Sequence, residues 1–177
     1  MPPFSDIIGF IGVAANVGWP FFRSRTWMLL GQAFGAFLFA LHYALISAPT
    51  AALLLTTAGL QALLAIPLGD RSNFRLLYLA TIPVIGGIMA FSWTGVESLF
   101  ASLGLALISL GRYQLKVIPF RALLVACIPM WLVHNLIVGS VPGLVSDALS
   151  FSSGLWMLIV TIRQERGRAP ASPSSAG

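Results

Sequence analysis

Charge is what this sequence has least of. Of 177 residues only 8% are charged, ten Lys and Arg against five Asp and Glu, while 58% are apolar. Soluble domains carry about 25% charged and ~45–50% apolar residues, so this chain has no charged coat with which to meet water on all sides. Cysteine is nearly absent: Cys127 alone excludes an intramolecular disulfide and a Cys-based metal cluster. The opening residues MPPFSD hold no Lys or Arg ahead of the first apolar run, which argues against a cleaved signal peptide, since that needs a basic n-region. A Gly-rich phosphate loop, a nucleophile elbow and a paired-carboxylate motif are all missing, and no enzyme is expected. The net charge of +5 invites a nucleic-acid reading, but the cations fall in small groups between apolar runs instead of clustering on one wet face. No nucleic-acid partner is expected. Disorder is excluded by twelve Phe, five Trp and long aliphatic runs.

What is present is a succession of apolar segments, about 7–22, 27–46, 49–68, 74–93, 98–111, 119–138 and 142–162. At ~20 residues per crossing of ~30 Å of hydrocarbon, these read as seven transmembrane helices, with the first and fifth short enough to borrow flanking residues. Without water in that slab each must be helical to satisfy its own backbone. Pro49 and Pro142 start returning helices after the tight SAP and GSVP turns, where a missing N–H costs nothing. Arg23 and Arg25, Arg71 and Arg75, then Arg112, Lys116 and Arg121, and finally Arg163, Arg166 and Arg168 follow the odd-numbered segments. Every cation thus lies on one side of a seven-span chain, which puts the N-terminus outside and the C-terminus in the cytoplasm. Trp19, Trp27, Trp93 and Tyr113 fall near segment ends, as interface anchors should. Residues 163–177, polar and rich in Pro, Ser and Ala, read as a disordered cytoplasmic tail.

The two His in the chain share a setting: LHYALISAP around His42 and VHNLIVGSVP around His134. Ser47 to Ser140, Pro49 to Pro142 and Gly18 to Gly111 all span one common interval, and His42 to His134 falls one residue short of it. A duplicated three-helix unit is the reading. An odd number of helices reverses direction, so joining two parallel units takes one extra helix. The organisation is then residues 1–68 as a first three-helix bundle, 69–97 as a linker helix and 98–162 as a second bundle. Parallel repeats of this kind are a known transporter plan, with the site between the halves.

This 3+1+3, N-out/C-in layout resembles the SWEET and PQ-loop superfamily. The stretch HNLIVGSVPGLVSD, from His134 to Asp147, together with His42 and its hairpin, resembles the YgjV-type bacterial inner-membrane proteins over roughly residues 5–165. The resemblance implies an all-α membrane fold of two three-helix bundles in the bacterial cytoplasmic membrane. It brings no substrate. The chain departs from the wider superfamily in having no Pro-Gln dipeptide and no mid-depth proline in the first and fifth segments.

Polar residues inside the slab mark the candidate site. His42 and His134 lie ~8–9 Å below their hairpins and Asp147 ~8 Å along the returning helix, all at similar depth. A buried acid marks a partner, a wet cavity or an ion path. His134 and Asp147 flank one hairpin and are expected to form a carboxylate–imidazole hydrogen bond, so removing His134 should destabilise more than removing His42. The substrate- or ion-path candidates are His42, His134, Asn135, Asp147 and, deeper, Asn16; Thr56, Thr57 and Gln61 are lesser ones. Gly31 and Gly35 in the second segment and Ser146, Ser150 and Ser153 in the seventh form small-residue stripes expected to pack helices. Two His at one depth suggest a haem, and His42, His134 and Asp147 a metal. Duplication already explains the His pair and nothing enforces ligand spacing, so no cofactor and no metal is expected. The function expected is a small-solute transporter or facilitator between the two bundles. Its rival is a non-transporting scaffold, sensor or partner-binding subunit. The expected partners are the lipid bilayer and a small-molecule solute, with a homo-oligomer left open.

Overall fold

The computed structural model describes residues 3–71 and 73–168. Seven α-helices account for nearly all of them: α1 (Phe4–Gly18), α2 (Arg25–Leu45), α3 (Pro49–Leu68), α4 (Leu76–Phe91), α5 (Val96–Tyr113), α6 (Val117–Val138) and α7 (Val141–Arg168). A single 3-10 turn, Trp19–Phe21, follows α1. Five helices, α2, α3, α5, α6 and α7, are long and apolar enough to cross a membrane; α1 and α4 are apolar but shorter, at 15 and 16 residues.

Most boundaries shift by a few residues: the first segment is helical only over Phe4–Gly18 before its 3-10 turn, and the fourth shortens to Leu76–Phe91. The fifth segment gains Val96, Glu97, Arg112 and Tyr113 and becomes a full-length helix, because a charge at either end of a span can sit in the headgroup layer. The stretch 163–168, expected in the tail, is helical, since nothing before Pro170 breaks the helical run. The rest of the expected tail lies outside the described residues.

Local chemistry sets the helix ends. The Ser24 hydroxyl accepts the Trp27 N–H (3.2 Å) and caps α2. Arg25 reaches across from α2 to donate to the Ala65 carbonyl (2.9 Å) near the C-terminus of α3. Gly139 ends α6 in the left-handed region at φ 70°, and the Ser140 N–H returns to the Asn135 carbonyl at 3.0 Å. The α2–α3 hairpin repeats this turn with a different residue: Ser47 stands at φ 61°, and the Ala48 N–H returns to the Tyr43 carbonyl at 2.8 Å.

Six helices close a ring. α1 packs on α2, α2 on α3, α3 on α5, α5 on α6, α6 on α7, and α7 back on α1; α4 lies outside, chiefly against α5. Tyr43 of α2 stacks on Trp131 of α6 across the middle, with ring centroids 6.2 Å apart. The core gathers Val13, Phe39, Tyr43, Leu54, Leu105, Ile128 and Trp131 around that contact. Large apolar side chains cover the outside, Phe91 and Trp156 among them, an arrangement that suits hydrocarbon and not water.

Candidate functional site at the centre of the helix ring

The site is a chain of buried polar groups where α2 and α6 meet. The Tyr43 hydroxyl donates to Asn135 Oδ1 at 2.5 Å, and the Asn135 amide donates to the Asp147 carboxylate at 2.8 Å. Both Tyr43 and Asn135 are buried. Tyr43 lies edge-on to both imidazoles, 5.2 Å from His42 and 5.3 Å from His134 between ring centroids.

The two His are held alike. His42 Nδ1 lies 2.7 Å from the Ser5 carbonyl, 37 residues away, and His134 Nδ1 lies 2.9 Å from the Glu97 carbonyl, also 37 residues away. A carbonyl oxygen only accepts, so in each ring Nδ1 carries the proton and Nε2 is the acceptor. For His42 that acceptor is used: the Ser140 hydroxyl donates to Nε2 at 2.8 Å and itself accepts the Gly143 N–H at 3.1 Å. His134 Nε2 is buried, and no donor among the described residues reaches it.

The interval that relates these features is 92 residues, the separation of Tyr43 from Asn135. It carries His42 onto His134, Ser5 onto Glu97, and the left-handed Ser47 onto the left-handed Gly139. The His pair has this interval, whereas the sequence matches of Ser47 with Ser140 and Pro49 with Pro142 are one residue longer. By the 92-residue interval Ala48 stands at the position of Ser140, which is why His134 lacks the hydroxyl that His42 has.

The expected His134–Asp147 hydrogen bond is absent: Asn135 holds the carboxylate, and the His134 ring turns to Glu97. Adjacent residues on a helix point about 100° apart, so only one of the two can face α7. Glycine admits the closer one. A Cβ on Gly143 would collide with the Asn135 side chain, and one on Gly9 would lie 2.7 Å from Pro142 and 3.0 Å from His42 Nδ1. Asn16 is elsewhere. It packs on Gly35, two turns along α2 from His42, while Gly31 receives Trp19 and Phe22. The two glycines thus let α1 and its 3-10 turn approach α2. On α7, Ser146 is half-buried, whereas Ser150 and Ser153 lie on the exposed face and not against a neighbouring helix. Ser153 needs no neighbour, since its hydroxyl donates to the Leu149 carbonyl of its own helix. Among the described residues no three His, Cys, Asp or Glu side chains gather as a metal site.

Sequence reading missed Tyr43, Ser140 and Gly143. Tyr43 was detectable through the 92-residue interval, which pairs it with Asn135. The role of Gly143 depends on how close α6 lies, which no local pattern encodes.

Seven helices, apolar outer faces and a buried polar centre define a polytopic α-helical membrane protein. Residues 3–166 match the Imp-YgjV family, described as bacterial inner membrane protein. The chain belongs to that family, and its place is the bacterial inner membrane. No curated protein and no solved structure matches it.

Proposed function

We propose that this protein is a small-solute transporter or facilitator, built as two parallel three-helix units joined by α4 in a SWEET-like 3+1+3 plan, N-terminus out and C-terminus in. The observation that carries it is the Tyr43–Asn135–Asp147 chain, which passes from one unit to the other and ends on an acid at membrane depth. The units are supported by the paired His bonds to Ser5 and Glu97 and by neighbour relations that map onto themselves: α3 on α5 becomes α7 on α1. Tyr43 and Asn135 correspond under the same interval and touch each other, as residues beside a two-fold axis do. In parallel-repeat transporters the solute site lies on that axis.

The rival reading is a scaffold whose polar groups only clip helices together. The tight seating of Asn135 on Gly143 favours it. Uptake of radiolabelled sugars, amino acids and polyols into proteoliposomes separates the two. Transport predicts uptake above empty liposomes that is lost in Asp147→Asn while that variant still melts cooperatively. No uptake of any solute, or uptake indifferent to Asp147→Asn, sinks the transporter reading.

A further inference from the structure

Hydroxyls on membrane helices usually satisfy themselves. Thr56, Thr57, Thr81, Ser92, Ser152, Ser153 and Thr161 each donate to the carbonyl four residues earlier in their own helix. Ser102 and Ser109 on α5 do not. Both are buried, at 5% and 0% exposure, and their hydroxyl oxygens have no partner among the described residues.

They share one stripe. Ser98, Ser102, Leu105, Ser109 and Arg112 follow the i, i+4, i+7, i+11, i+14 spacing of a single helix face. Both ends of that face are tied to α3. The Thr50 hydroxyl donates to Ser98 Oγ (2.9 Å) at one end, and Arg112 donates to Gln61 Oε1 (3.1 Å) at the other. Gln61 in turn donates to Thr81 of α4 at 2.6 Å. Arg112 also lies over the Tyr78 ring of α4, so Ser102 and Ser109, between these anchors, lie on the side of α5 that meets α3 and α4. From Ser98 to Arg112 the stripe runs ~21 Å, about two thirds of the hydrocarbon thickness.

The first unit has no counterpart to this cover by α4. The 92-residue interval places Phe10 where Ser102 stands and Val17 where Ser109 stands, and both are exposed on α1. The buried hydroxyls therefore go with the cover that α4 adds to α5.

We propose that the seam where α5 meets α3 and α4 holds a file of bound water along Ser102 and Ser109, a second polar route lying off the axis of the candidate solute site. Buried hydroxyls without protein partners are satisfied in membrane and soluble interiors by such waters. The Arg112 guanidinium at its inner end repels cations, which keeps metal ions out of the file. This assignment stands whether or not the centre of the ring transports a solute.

X-ray hydroxyl-radical footprinting of the full chain in nanodiscs tests it, because radicals form from bound water and label the side chains beside it. Leu54 and Leu105 border the seam and are both 0% exposed. The expected result is labelling of both in the wild type, falling several-fold in Ser102→Ala/Ser109→Ala, with labelling of exposed Leu115 unchanged. Unlabelled Leu54 and Leu105 in the wild type would mean a dry seam. Equal labelling in wild type and double variant would mean that the hydroxyls hold no water. Either result overturns the assignment, and the wild-type measurement decides even if the variant folds poorly.

Discussion

His42 and His134 differ by one hydrogen bond, and stability should register it. His42 is bonded at both ring nitrogens, to the Ser5 carbonyl and the Ser140 hydroxyl; His134 is bonded only at Nδ1. A net hydrogen bond contributes about 1 kcal/mol, so His42→Ala should destabilise more than His134→Ala by roughly that amount. This reverses the order expected when Asp147 is assigned to His134. Ala48→Ser offers His134 Nε2 the donor that Ser140 gives His42, and should raise stability by about 0.5–1.5 kcal/mol. Thermal and denaturant unfolding of the three variants in one detergent measures both effects. Equal losses for the two His variants would refute the first, and a destabilised Ala48→Ser the second. The His were legible in the sequence as a pair. Which nitrogen of which ring is satisfied was not, because it depends on residues nearly a hundred positions away.

Helix ends and hairpins were the most legible elements. Pro49 starts α3 as the sequence suggests, and Gly139 closes α6 in the conformation that glycine reaches without steric cost. Packing faces were less so. The serines of α7 follow helical spacing, yet Ser150 and Ser153 face outward; Ser153 bonds its own backbone, and a serine so satisfied is as comfortable beside lipid as beside a helix. The glycines of the same helix separate the two cases. At Gly143 a Cβ runs into Asn135, whereas at Gly154 it lies 3.4 Å from Val125 Cγ2, an ordinary contact. Gly143→Ala should cost about 1–3 kcal/mol through overpacking, and Gly154→Ala close to nothing. Parallel melting curves check the contrast; similar losses at both sites would mean that α6 and α7 are not seated as described.

For the whole molecule, charge distribution makes the testable statement. Every Lys and Arg should face the cytoplasm and the α2–α3 and α6–α7 hairpins the opposite side. Ser47 and Val141 are exposed on those hairpins, and Lys116 is exposed at the other end. In a Cys127→Ala background, Ser47→Cys and Val141→Cys should react with an impermeant maleimide on intact cells lacking the outer-membrane barrier. Lys116→Cys should react only after lysis. The opposite pattern would invert the orientation, and with it the assignment of the hydroxyl-lined seam's Arg112 end to the cytoplasm.

By itself the sequence determined the membrane setting, the number of helices, the places where the chain turns and the two related His. All of these follow from local composition: too few charges for a soluble surface, apolar runs of bilayer length, and turn residues between them. Only the tertiary structure decided that Asn135 and not His134 holds Asp147, that 92 residues separate the two His and the groups paired with them, and that Ser102 and Ser109 are buried without a partner among the described residues. Each of these turns on a single residue step, which rotates a side chain by about 100° around its helix. Helical periodicity narrows a face to several neighbouring positions, and the seating of the next helix selects among them.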